Sequence, residues 1–137
     1  MIQVKKNRER GEIVVSFENL KLDDCKPVYL QLAEHVKRQI LMGVVENGET
    51  LPSRREIAIQ AHVNPNTVQK ACRFMEQEGY VSTKGNRLSV IQITPKIRQQ
   101  IQDEMTIGLC QEFVDKARRN NLSYKHVIAL ISELWEE

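Results

Sequence analysis

SRREIAIQAHVNPNTVQKACRFMEQEG, residues 53–79, decides the fold. It reads as two short helices joined by a tight turn. Ser53 and Glu56 form a capping box, in which hydroxyl and carboxylate answer the orphan amides of a new helix. Ile57, Ala58 and Ala61 share one face of that helix, and Ala61-His62-Val63 makes the turn. Asn64 suits an N-cap, and Pro65 suits the first helical position, where its missing N–H costs nothing. The second helix runs to about Gln77 or Glu78 and stops at Gly79, the residue favoured just past a helix end.

At about 100° per residue, Val68, Ala71, Cys72 and Met75 gather on one side of the second helix. Asn66, Gln69, Lys70, Arg73 and Gln77 gather on the other, with no acid among them. Amides and cations are the groups that base edges and phosphates accept. An ordinary solvated face mixes acids in. The pattern therefore predicts the recognition helix of a helix-turn-helix.

Upstream, Pro27 to Met42 reads as a helix, with Tyr29, Leu32, Ala33, Val36 and Ile40 on its core face. His35, Lys37, Arg38 and Gln39 fall mostly on other faces, with His35 an exposed helix residue. Asn47-Gly48 is a turn, and Glu49 to Pro52 is short and extended. In residues 1–24, Glu12 to Phe17 could form a short strand. The basic residues before it, Lys5, Lys6, Arg8 and Arg10, allow an arm that touches DNA or a partner subunit. A solvated tail with one docked strand is the plainer reading, since charge runs at termini are usually solvated.

Downstream, Tyr80 to Thr83 and Leu88 to Ile91 are strand-like runs around Lys84-Gly85-Asn86-Arg87. A hairpin directly after a helix-turn-helix is a wing. Lys84 and Arg87 at its tip can reach phosphates or the minor groove. Thr94-Pro95 opens a long helix that runs to about Arg119; Asn120-Asn121 breaks it, and Ser123 caps a last helix. Two such helices are marginal alone. The same hairpin from a second copy would cover their apolar stripes, with Ile97, Ile101, Met105, Leu109, Val127, Ile131, Leu134 and Trp135 as the interface. Packing back onto the winged helix of the same chain is the alternative.

The fold class expected is mainly α with a small β-hairpin: a winged helix-turn-helix domain followed by a two-helix dimerisation tail. The divisions are an arm at 1–24, the DNA-binding domain at 25–93 and the dimerisation region at 94–137. A chain of 137 residues suits one domain plus an appendage. Its net charge of +2 establishes no nucleic-acid binding by itself, so the local arrangement must. Cys25, Cys72 and Cys110 are far apart, as are His35, His62 and His126; no disulfide framework, metal site or cofactor is expected from such spacing. No apolar run is long enough to span a membrane, and the basic start lacks the apolar stretch of a secretory signal, so a cytoplasmic location is expected. No acid pair, triad or phosphate loop points to an enzyme. A winged helix used only for protein contact is the competing function, but such a face would carry apolar or aromatic anchors.

The order P-V-Y-L-Q-L, G-E-T-L-P-S-R-R-E-I-A, V-N-P-N-T-V-Q-K-A and M-E-Q-E-G-Y-V resembles the GntR family of bacterial transcriptional regulators. V-N-P-N-T-V-Q with a two-helix tail resembles its YtrA subfamily. The resemblance implies a homodimer on a near-palindromic operator. It implies DNA contacts by Arg55, Asn64, Asn66 and Thr67, with Gln69 and Lys70 further along, and wing contacts near Lys84, Gly85 and Asn86. Arg54, beside Arg55, and Arg73, on the polar face, complete the expected set. For the subfamily the implied role is repression of a transporter operon, often including the regulator's own gene. Two departures stand out. His62 occupies a turn position where the family usually has glycine, and the wing reads K-G-N-R-L-S-V rather than G-x-G-T-F. The tail is too short for the large ligand-binding domains of other branches, and no effector site can be placed.

Overall fold

The structure, a computed structural model, describes residues 15–85 and 88–137. Five helices and one hairpin occur among them: α1 (Val28–Leu41), α2 (Arg54–Ala61), α3 (Pro65–Glu78), β1 (Val81–Ser82), β2 (Val90–Ile91), α4 (Pro95–Arg119) and α5 (Tyr124–Glu136). The chain divides into two compact units, the first ending at Ile101 and the second covering Gln102–Glu137.

In the first unit α3 packs against α1, α2 and β1. α1 buries Leu32, Ala33, Val36 and Ile40, α2 buries Ile57, Ala58 and Ala61, and α3 buries Val68, Ala71, Cys72 and Met75. The Tyr80 side chain is buried after α3, and its hydroxyl donates to the Ala33 carbonyl at 3.3 Å. The expected α1 boundaries hold to within a residue, and α3 ends at Glu78 with Gly79 in the left-handed region at φ 90°.

The wing strands are shorter than the runs that predict them. β1 and β2 pair antiparallel, Val81 with Ile91 and Ser82 with Val90. A further pairing went unpredicted: Thr50 bridges to Val90, Gly48 N–H donates to the Ile91 carbonyl, Ile91 N–H to the Glu49 carbonyl, and Leu51 N–H to the Ser89 carbonyl. The extended segment before α2 thus forms a third edge of the wing. Pro52 ends it, since proline has no N–H for a ladder.

Three sequence-based placements near α1 need correction. The described part of the expected 12–17 strand, from Val15 on, is not a strand; residues 12–14 lie outside the described set. Its backbone is met by side chains instead. Phe17 N–H donates to Gln60 Oε1 at 2.8 Å, and His35 Nε2 bonds the Ser16 carbonyl at 2.7 Å. Val15 and Phe17 are both buried, Phe17 with only 1% exposed. His35 is accordingly a half-buried anchor rather than an exposed helix residue, with its ring centroid 5.0 Å from that of Phe17. Burial holds its imidazole below the ordinary histidine range; the Ser16 bond opposes this and the Arg38 charge reinforces it.

Lys37 is the third correction. It is 8% exposed because its stem lies against the core while its ammonium sits 5.8 Å from the Phe74 ring and 5.4 Å from the Tyr80 ring, and 3.9 Å from Glu78. Gln31 is buried too. Its amide donates to the carbonyls of Asp23 and Lys26 and its oxygen accepts from Asp23 N–H, which ties the chain entering α1 to the helix.

The second unit contains the rest of α4 and α5. Asn121 turns the chain at φ 52°, and Ser123 caps α5 by accepting His126 N–H. Leu109, Ile131, Leu134 and Trp135 are exposed, Trp135 by 83%, while Met105 and Val127 are half-buried. Ile101 is among the residues expected at a partner surface. It is only 3% exposed within one chain, as the last residue of the first unit, so its side chain is already covered. Ile97 is half-buried, and nearby Arg98 Nη1 donates to the Ile40 carbonyl at 3.0 Å.

Candidate nucleic-acid interface

The local chemistry of Ser53–Gly79 positions the interface. Ser53 Oγ accepts Glu56 N–H at 3.0 Å and fixes the start of α2. His62 then takes a left-handed conformation, φ 55° and ψ 48°, and closes α2 where a glycine is usual. A non-glycine residue there costs about 1–2 kcal/mol. Asn64 Oδ1 accepts Asn66 N–H at 2.8 Å, so α3 starts at Pro65. These three caps set the phase of α3 and determine which side chains face outward.

Asn64, Asn66, Gln69, Lys70, Arg73 and Gln77 are exposed, and Thr67 is half-buried at the edge. The opposite face is the buried stripe Val68, Ala71, Cys72 and Met75. The predicted polar surface is thus brought together on one helix. Burial pushes the Cys72 thiol up, against the pull of the adjacent Arg54 guanidinium, so the thiol beneath this surface stays protonated.

The two arginines opening α2 are both exposed. Arg54 Nη2 lies 3.8 Å from Glu76 Oε1 on α3. At that distance the contact is Coulombic rather than a hydrogen bond. Glu76 borders the polar face of α3, and the pairing offsets its negative charge. Arg54 therefore links α2 to α3 while its side chain remains exposed. Lys70 is also engaged: its ammonium lies 4.3 Å from the centroid of the Tyr29 ring on α1.

At the wing, Lys84 is exposed and Gly85 has φ 62°. Asn86 and Arg87 lie outside the described residues. Thr83 Oγ1 and Ser89 Oγ hydrogen-bond at 2.7 Å across the base of the tip. A shallow surface depression follows the wing, lined by Asn47, Gly48, Ser82, Lys84, Leu88 and Val90 among others. Sequence reasoning missed Tyr29 and Glu76 as partners of this surface. Tyr29 reads only as a core-face position, and no local pattern signals Glu76.

Three packed helices, an exposed helix of amides and cations, and an adjoining hairpin define a winged helix-turn-helix, a DNA-binding class. The chain matches the family described as bacterial regulatory proteins, gntR family, over residues 28–91. It is 32% identical to the uncharacterized HTH-type transcriptional regulator YhcF of Bacillus subtilis, a match covering 81% of this chain and 92% of that protein. It is 41% identical over 61 residues to the HTH-type transcriptional repressor YtrA of Bacillus subtilis, covering 44% of this chain and 47% of that one. A solved GntR family transcriptional regulator from Listeria monocytogenes superposes with a TM-score of 0.71 at 25% identity, covering 82% of this chain and 98% of that one. The chain belongs to the GntR family of bacterial transcriptional regulators; it is a DNA-binding regulator and not an enzyme. No helix among the described residues is long and apolar enough to cross a membrane.

Proposed function

We propose that this chain is a cytoplasmic, homodimeric repressor that reads a near-palindromic operator with α3. The transporter operon and the regulator's own gene implied by the subfamily resemblance are its targets. The exposed, acid-free polar face of α3 carries this reading. Asn64, Asn66 and Thr67 stand at the end that enters the major groove, Gln69 and Arg73 lie further along, and Arg55 reaches the backbone from α2. Lys84, Gly85, Asn86 and Arg87 of the wing make the flanking contacts.

Repression is supported by the name of the related YtrA, an HTH-type transcriptional repressor. Dimerisation through residues 102–137 is supported by their exposed apolar side chains, Leu109, Ile131, Leu134 and Trp135 foremost. A second copy is the economical cover for such a surface. The two copies then hold two α3 helices about one DNA turn apart.

The test is binding of the full chain to DNA from upstream of its own gene, followed by fluorescence anisotropy over a series of salt concentrations. Preference over a scrambled duplex, with affinity that falls steeply as salt rises, is the expected result. Equal affinity for any sequence would refute the reading of α3 as a specific reader.

A further inference from the structure

Tyr29 sits on α1, away from the residues assigned to DNA, yet it touches one of them. Its ring lies 4.3 Å below the Lys70 ammonium, well within cation–π reach. The ring is itself oriented by α3. Phe74, one turn beyond Lys70, meets it edge-on at 5.8 Å and 74°. Tyr29 is half-buried while Lys70 is exposed.

The direction of the helices places this pair. Early in α1, Tyr29 meets Lys70 and Phe74; later in α1, Lys37 meets Phe74, Glu78 and Tyr80. Later residues of α1 therefore meet later residues of α3, and the two helices run in the same sense. Tyr29 stands at the end of α1 nearer the start of α3, the end assigned to the groove. A ring covers one side of an ammonium that has three N–H donors, which leaves donors for phosphate oxygens. A lysine stem has high rotamer freedom, and holding it in advance spares part of the entropy lost on binding.

We propose that Tyr29 is a positioning residue for DNA binding: its ring face presets the Lys70 ammonium for a backbone phosphate beside the recognition helix. The inference rests on the reading of α3 as that helix. It assigns DNA-directed work to an aromatic residue that the sequence pattern explains as core.

The test is a double-mutant cycle on the full chain, with a duplex from upstream of its own gene as probe and anisotropy at several salt concentrations. Lys70→Ala should weaken binding and reduce the steepness of the log–log salt slope by about 0.9. Tyr29→Phe, which keeps the ring face, should bind like the parent. Tyr29→Leu, which keeps apolar packing but not the π face, should weaken binding about two- to five-fold. In a Lys70→Ala background the same Tyr29→Leu change should have no effect.

An equal loss from Tyr29→Leu in both backgrounds overturns the inference, because the residue then acts through the fold and not through Lys70. A Tyr29→Phe protein as weak as Tyr29→Leu overturns it as well. A Lys70→Ala protein with unchanged affinity and slope sinks the assignment of Lys70 to phosphate, and the inference with it. A parent protein with no preference for the probe over a scrambled duplex sinks the recognition-helix reading itself.

Discussion

Asn64 lies where stability and DNA binding can be separated by a single atom. Its Oδ1 caps α3 by accepting Asn66 N–H at 2.8 Å, while the side chain as a whole is exposed at the end of the helix assigned to the groove. Asn64→Ala removes the cap and should cost about 1 kcal/mol of stability. Asn64→Asp keeps the accepting oxygen and adds a negative charge at the positive end of the helix dipole, worth about 0.3–1 kcal/mol in favour of the fold. The same charge faces phosphate. A carboxylate about 6 Å from one phosphate is repelled by about 0.7 kcal/mol in bulk water and about 2.8 kcal/mol at an effective dielectric of about 20. Affinity should therefore drop by about 3- to 100-fold, less at high salt. Urea unfolding at fixed protein concentration and anisotropy on the same preparations measure the two effects. The aspartate variant should be at least as stable as the parent and bind DNA worse than the alanine variant. An aspartate variant that binds like the parent would refute the placement of this end of α3 at DNA; one less stable than the alanine variant would refute the capping geometry.

Three further outcomes follow from the geometry. Phe17→Ala should lose about 3–5 kcal/mol of unfolding free energy, since the ring is fully buried and anchors its segment across α1 and α2; a loss under about 1 kcal/mol would mean that the segment adds little to the core. His35 is held below its ordinary range by burial, so the unfolded chain takes a proton that the folded one resists. Its contribution is complete above about pH 7 and is lost as pH falls through about 6.5 toward the depressed folded value; urea midpoints across this range should fall less in His35→Gln, and parallel profiles would contradict the assignment. Leu134→Glu and Trp135→Glu change exposed residues of α5 and should shift sedimentation toward monomer without unfolding either unit; variants that sediment as the parent would move the dimer interface elsewhere.

The helix-turn-helix was legible because its signals are local. Ser53, Asn64, Pro65 and Gly79 each act through the nearest backbone amides, so α2 and α3 fall where the caps put them. The left-handed His62 was legible as an exception to glycine. What the sequence hid depends on long-range pairing. Thr50 pairs with Val90 through a bridge too short to leave an alternating pattern. Phe17 is held by Gln60 and His35, partners distant in the chain whose polar side chains give no hydrophobic period. The pairing of Arg54 with Glu76 was hidden because their spacing has meaning only after α2 and α3 are packed. Lys37 shows the same limit: a charge on a helix reads as solvent-facing until aromatic rings from elsewhere enclose its stem.

The central claim is that two copies of α3 read one operator, held together by residues 102–137. Hydroxyl-radical footprinting of the full chain on DNA from upstream of its own gene tests this most directly. Two protected patches related by near-palindromic sequence, centred about 10 base pairs or a small multiple apart, are the predicted result. One patch, or uniform protection without sequence preference, would contradict it.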